Sequence, residues 1–199
     1  EKDDKNISIS ILKDFKENFS IDTIFWSIFA LERHLIKKES MILHCSFITY
    51  KNHAILFSGP SGIGKSTQAN LWKNNRHVKI INGDRCLLEK NDEKWYANGW
   101  PVCGSSEICI NEKYNLGSIV FLNQGKENSI KLLEKKDAIK KLISQITINY
   151  WNQEFVNKAI SLAENIAENI NIYELTCTPD ISAVEVLEEK LRENEEWIR

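Results

Sequence analysis

The chain lacks the marks of several large protein classes. Its five cysteines (Cys45, Cys86, Cys103, Cys109, Cys177) are odd in number, scattered, and never spaced C-x-x-C. That argues against a disulfide framework or a zinc site and fits reduced cytosolic thiols. No apolar run can span a bilayer: Phe25 to Leu31 is short and is followed at once by Glu32-Arg33-His34. Residues 1 to 6 mix acidic and basic side chains without an apolar core, so no signal peptide is read there. A net charge of -2 gives no global pull toward nucleic acid or an anionic membrane. Lys135-Lys136 and Lys140-Lys141 read as the solvated face of a helix. There is no internal repeat and no low-complexity linker. What is present, 42% hydrophobic and 27% charged residues in a chain of 199, suits one soluble globular domain or one with a small appendage. The expectation is a soluble, cytoplasmic protein with neither nucleic acid nor membrane as partner.

One segment stands out. Gly59-Pro60-Ser61-Gly62-Ile63-Gly64-Lys65-Ser66 fits the phosphate-binding pattern G-x-x-x-x-G-K-[ST] at every fixed position. Ala54 to Ser58 before it reads as a short buried strand, and Thr67 to Trp72 after it as the first turns of a helix. Glycines in such a turn let successive N–H groups face a polyphosphate, and the helix N-terminus adds partial positive charge. Lys65 is expected at the outer phosphates, the Ser66 hydroxyl on Mg²⁺, and Thr67 beside it. The spacing therefore points to a nucleotide such as ATP.

Around this segment, Met41 to Tyr50 reads as a strand joined by a Lys51-Asn52 turn to the strand before the loop. Val78 to Ile81 is another strand, ending at Asn82-Gly83-Asp84. Cys86 to Glu89 and Lys94 to Ala97 read as a hairpin around Asn91-Asp92, with further strands near Glu107–Ile110 and Ser118–Leu122. Leu132 to Tyr150 and Gln153 to Asn169 read as two helices. Ile172 to Thr176 reads as a strand, followed by a final helix to about Trp197. Ile7, Ile9 and Ile11 alternate as in a strand, and Asp22 to Lys38 carries helical spacing with Asp22 as N-cap. So many hairpins predict a mixed sheet in an α/β fold with C-terminal helices. Residues 1–40 are expected to form an N-terminal segment with one helix, within or beside the core, and 41–199 the nucleotide-binding domain.

Phosphoryl transfer needs a metal and a group that orients or deprotonates the acceptor. Asp84, at a strand end after the loop helix, is the leading carboxylate, as Mg²⁺ ligand or general base. The competing reading makes Asn82-Gly83-Asp84 a plain turn. Glu107 and Asp137 are weaker acids, with Asp137 expected on a helix surface. Arg85 and Arg76 could offer guanidinium groups, Arg76 being expected at the surface near the helix end. Trp95, Tyr96 and Trp100 fit an acceptor pocket or the core equally well. A guanine-reading [NT]-K-x-D sequence is absent, as is a long apolar run ending in paired acids. Small GTPases and motor-type ATPases are thereby disfavoured.

Leu43-His44 together with Ile55 to Ser66 resembles the kinase domain of HPr kinase/phosphorylase, whose nucleotide-binding core is shared with phosphoenolpyruvate carboxykinase. The resemblance runs from about Met41 to Leu122. The stretch Asn98 to Ser105 and the strand Ile172 to Leu175 look more like small kinase-like members of this superfamily, some encoded beside peptide-modifying enzymes. It implies a mixed-sheet P-loop core and ATP with Mg²⁺ as cofactors. The acceptor would be a hydroxyl of a peptide, small protein or small molecule, and a homo-oligomer is in keeping with the family. By it, Asp84 is the general base or metal-linked acid, His44 a neighbour tuning it or the transferred phosphate, and Ser66 a Mg²⁺ ligand. Gly83 stands where the family carries a second acid, and the family's arginine- and glycine-containing signature has no match. Phosphorylase activity and HPr as substrate are therefore not expected. The alternatives are a non-catalytic ATP-binding module that orders a partner-binding surface, and a simple nucleotide-hydrolysing regulator.

Overall fold

The hairpin expected before the loop organises the sheet. In the computed structural model, which describes residues 10, 12–14 and 30–193, strand β1 (Ser40–Tyr50) is buried along most of its length. On one edge it pairs antiparallel with β2 (His53–Ser58), Cys45 opposite Ser58 and Tyr50 opposite His53. Lys51 and Asn52 connect them at φ 45° and 66°, the left-handed values of a two-residue hairpin turn.

On its other edge β1 meets two strands in succession. β3 (Lys79–Asn82) pairs with residues 47–49 and β4 (Arg85–Asn91) with residues 40–44. They form in effect one strand in a common register, interrupted at Gly83-Asp84, where Cys45 N–H donates to Asp84 O at 3.0 Å; the register slips just before, opposite Phe47 and Ile48, leaving Ile81 as the extra residue. A bulge such as the one at Ile81 bends the strand, here just before Asn82-Gly83-Asp84. β4 turns into β5 (Lys94–Asn98), β5 pairs with the start of β6 (Lys113–Gln124), and β6 lies parallel to β2. The pairings thus close a circuit β1–β2–β6–β5–β4. β6 continues beyond it, parallel to β8 (Asn171–Cys177), whose outer edge carries the short antiparallel β7 (Ser129–Leu132). The sheet is mixed, as the hairpins predict.

Helices cover both faces. In β2 the two-residue period sends Ala54 and Leu56 to one core and Ile55 and Phe57 to the other. The first core is closed by α3 (Lys135–Gln145) and α4 (Gln153–Asn169). α4 buries Phe155, Ala159, Leu162, Ala163 and Ile166, a helical stripe, and its N-cap Asn152 accepts from Phe155 N–H. The second core is closed by α2 (Lys65–Arg76) and α5 (Ile181–Glu193). There Trp72, wholly buried, meets the rings of Tyr50 and Phe57 at 5.1 and 6.4 Å. None of the described helices is long and apolar enough to cross a membrane.

Two expectations change. Glu107–Ile110 is not a strand: a 3₁₀ turn (Gly104–Ser106) precedes it, and it meets the chain at β3 in an isolated bridge, Cys109 opposite Asn82, with Ile110 N–H donating to Ile81 O and Gly83 N–H to Ile108 O. The run Leu132–Tyr150 is not one helix. Leu132 ends β7, and after Gln145 the β-branched Ile146 and Thr147 are taken by β1, Ile146 bridging Leu43 and Thr147 N–H donating to Ile42 O. The predicted Asp22–Lys38 helix lies outside the described residues up to residue 29. Its visible end is one turn, α1 (Glu32–Leu35), with a 3₁₀ turn at Ile36–Lys38. Of the strand expected at residues 7–11 only residue 10 is described, and the last turns to Trp197 fall outside the described residues.

Candidate functional site

β2 runs into Gly59–Gly64 and then into α2, the strand–turn–helix order that a phosphate-binding loop needs. Gly59 at φ 141° and Gly64 at φ 114° hold left-handed backbone that a side chain would strain, and a Cβ on Gly59 would press on Ile63 at 3.2 Å. No side chain caps α2, so the first-turn N–H groups stand available to an anion. Lys65, 8% exposed, folds back along the loop, its Nζ donating to Gly59 O and Pro60 O at 3.0 Å each. An ammonium has three donors, so one N–H remains for a ligand.

The loop forms one wall of a cavity of about 310 Å³, with Ser61, Gly62, Gly64, Lys65, Ser66 and Thr67 in its lining. The facing wall is the strand break: His44 from β1, Gly83 and Asp84, closed off by Cys103, Ser105 and Ser106. His44 and Asp84, forty residues apart, meet because β1 pairs with both halves of the broken strand. His44 Nε2 lies 3.6 Å from Asp84 Oδ1, and Arg85 Nε lies 3.1 Å from Asp84 Oδ2. The break is held by a residue that pattern reading treats as turn filler. Asn82, wholly buried, accepts from the N–H groups of Asp84 and Arg85 at 2.8 Å each. It donates in turn to Trp100 O and Val102 O at 2.7 and 3.0 Å.

His44 Nδ1 lies 3.3 Å from Gln145 Oε1. The Gln145 amide oxygen on one side and the Asp84 carboxylate on the other are both acceptors, so each suits an imidazole N–H, and the tautomer decides which nitrogen of the neutral ring donates. Burial first, then the Lys65 ammonium, holds His44 below its usual value against the pull of Asp84. Burial also lowers Lys65, opposed by Cys45 and Asp84.

Two hard oxygen donors, the Ser66 hydroxyl and the Asp84 carboxylate, line this one cavity. No group of three or more His, Cys, Asp or Glu at metal-binding distance occurs among the described residues. Mg²⁺ is characteristically held by one or two protein oxygens plus phosphates and water, so this donor set fits it when nucleotide is bound.

The other sequence candidates lie elsewhere. Trp95 and Trp100 are core residues, and Tyr96 lies under the Lys113 ammonium, so the acceptor-pocket reading of these aromatics receives no geometric backing. Glu107 is exposed and outside the lining, and Asp137 is exposed on α3, paired with Lys140. Arg76 is no idle surface residue, since it pairs with Glu188 at 2.8 Å. Gly83 has a packing reason to be glycine: a Cβ there would lie 2.1 Å from Ser106 Oγ and 2.3 Å from its Cβ. Asn82, Gln145 and Ser106 are the site residues that sequence reasoning passes over. A larger cavity, about 460 Å³, lies between the α1 region and the start of α4 and contains no motif residue.

No curated protein matches the chain. Among solved structures, the Hpr(Ser) kinase/phosphatase from Coxiella burnetii is similar at 12% identity and a TM-score of 0.40, over 77% of this chain and 95% of that one. The model of the SynChlorMet cassette protein ScmC family matches residues 7–180, most of the chain, and the chain belongs to that family.

Proposed function

We propose that this protein is an ATP-dependent kinase that transfers the γ-phosphoryl group to a hydroxyl of a peptide, small protein or small molecule. Its core is read as a mixed-sheet P-loop domain of the HPr kinase/phosphoenolpyruvate carboxykinase type, formed by residues 41–199. The observation that carries this reading is the convergence of the uncapped loop helix, Lys65, Ser66, Asp84 and His44 on one cavity.

In the proposed reaction the loop N–H groups and Lys65 hold the β- and γ-phosphates and offset charge that builds in the transition state. Ser66 and Asp84 are the residues that would hold Mg²⁺, which would further neutralise the phosphate oxygens. The acceptor hydroxyl enters from the His44–Asp84 side. Its oxygen bonds to the γ-phosphorus as the bond to the β,γ-bridging oxygen breaks, and its proton passes to the Asp84 carboxylate. Arg85 holds that carboxylate in place, with His44 beside it.

The second reading, a non-catalytic nucleotide-binding module, is favoured by one feature. Gly83 has no room for a second acid, and the lone Asp84 is already engaged by Arg85. Incubation of the protein with γ-labelled ATP, Mg²⁺ and peptide or small-protein fractions separates the two. The kinase reading expects label on a hydroxyl and its loss in Lys65→Ala. ATP binding with no transfer to any fraction favours the module.

A further inference from the structure

A second cavity, about 410 Å³, shares Gly62, Gly64 and Thr67 with the first but differs from it in chemistry. The first is lined by Lys65, Asp84 and His44, whereas every residue lining the second is uncharged. It lies past the carboxyl ends of β6 and β8, at Gln124-Gly125 and Cys177–Pro179. β6 and β8 run parallel to β2, and the space beyond the carboxyl ends of parallel strands is where open α/β sheets bind ligands.

The wall between the two cavities is braced. Gln124 Nε2 donates to Gly62 O at 3.3 Å, tying the end of β6 to the loop. The inner wall carries Gln68 of α2, 2% exposed, whose Nε2 donates to Cys177 Sγ at 3.3 Å. Its Oε1 is buried and has no hydrogen-bond partner among the described residues. Buried acceptors are nearly always satisfied, and an orphan beside a cavity points to a donor brought in by a ligand.

We propose that this uncharged cavity takes the heterocyclic base of the nucleotide whose phosphates occupy the first cavity, with Gln68 Oε1 accepting from an N–H on the base edge. The polyphosphate then crosses the shared loop residues, and the base stacks against Ile63 and the Cys177–Pro179 turn. This rests on the nucleotide reading above and adds where the base goes and what reads it.

Cys177 reports on the cavity without any mutation. Its thiol is half-buried and burial raises it above its usual value, so alkylation is slow but measurable. With Mg²⁺ present, the unmodified protein is titrated with ATP and with inorganic tripolyphosphate, and iodoacetamide labelling is followed at each cysteine by peptide mass spectrometry. ATP is expected to slow alkylation of Cys177 about tenfold while tripolyphosphate, at saturation, leaves it unchanged. Gln68→Leu is expected to weaken ATP about tenfold and tripolyphosphate hardly at all. If both ligands bind and neither protects Cys177, the base assignment is overturned while the phosphate site stands. If neither ligand binds, the nucleotide reading and the base assignment fall together.

Discussion

Asp84 and Glu188 are both carboxylates set among cations, and the difference between their surroundings separates structure from function. Glu188, on α5, is 7% exposed and saturated: Tyr50 OH donates at 2.6 Å, Arg76 Nε at 2.9 Å, and Arg192 stands at 3.1 Å. It fastens α5 to α2 and β1. Burial pushes the Glu188 carboxyl up, but Arg76 and Tyr50 more than reverse this, bringing it down to about 2. Asp84 has Arg85 on one oxygen, a neutral His44 at 3.6 Å from the other, and an open cavity in front. A carboxylate with all its acceptor capacity spent can hold a fold together. One with capacity left can still take a proton or a cation.

The contrast can be broken from the closed end first. Trp72→Ala removes the ring that packs on Tyr50 and Phe57 and is expected to cost about 3–5 kcal/mol, read from denaturant midpoints. Gly83→Asp, which places a second carboxylate beside Asp84, should cost about 1–3 kcal/mol because its Cβ meets Ser106. A double variant with Ser106→Gly should be less destabilised than the sum of the two single changes.

Glu188→Gln should cost about 2 kcal/mol at neutral pH, since it strips the charge that Arg76 faces. The sign follows from the depressed value. The stabilisation is present above the unfolded value of 4.5 and is lost as pH falls from there toward about 2. The gap in melting temperature between wild type and Glu188→Gln should therefore close over that window. Asp84→Asn, by contrast, should cost less than Glu188→Gln, about 0.5–1 kcal/mol, since Arg85 alone is paired with its charge.

The loop and its flanks were legible because the motif prescribes residue types in consecutive order, and the β1–β2 hairpin was legible from Lys51-Asn52. The mixed sheet followed from the hairpins. His44 emerged only through the resemblance, since a histidine in a strand carries no signal of what stands across from it. Its neighbour Asp84 depends on two strands sharing one edge of β1, a register that no local window contains. Asn82 looks like any turn residue until Trp100 O and Val102 O close around it. Gln145, 101 residues from His44, is equally invisible to spacing. The missed β7 pairs only through β8, and its Ile130 and Leu132 blend into the helical pattern that follows. Trp95 and Trp100 fitted two readings because burial, which decides between them, is a tertiary property.

The most direct test of the central claim is a paired measurement on Asp84→Asn: ATP affinity by calorimetry, and transfer of label from γ-labelled ATP. The account predicts affinity within a few-fold of wild type and turnover lower by about 10²- to 10⁴-fold, the range of a lost general base. Near-normal turnover in this variant would contradict it and return Asp84 to the company of Glu188, a carboxylate that only holds the fold.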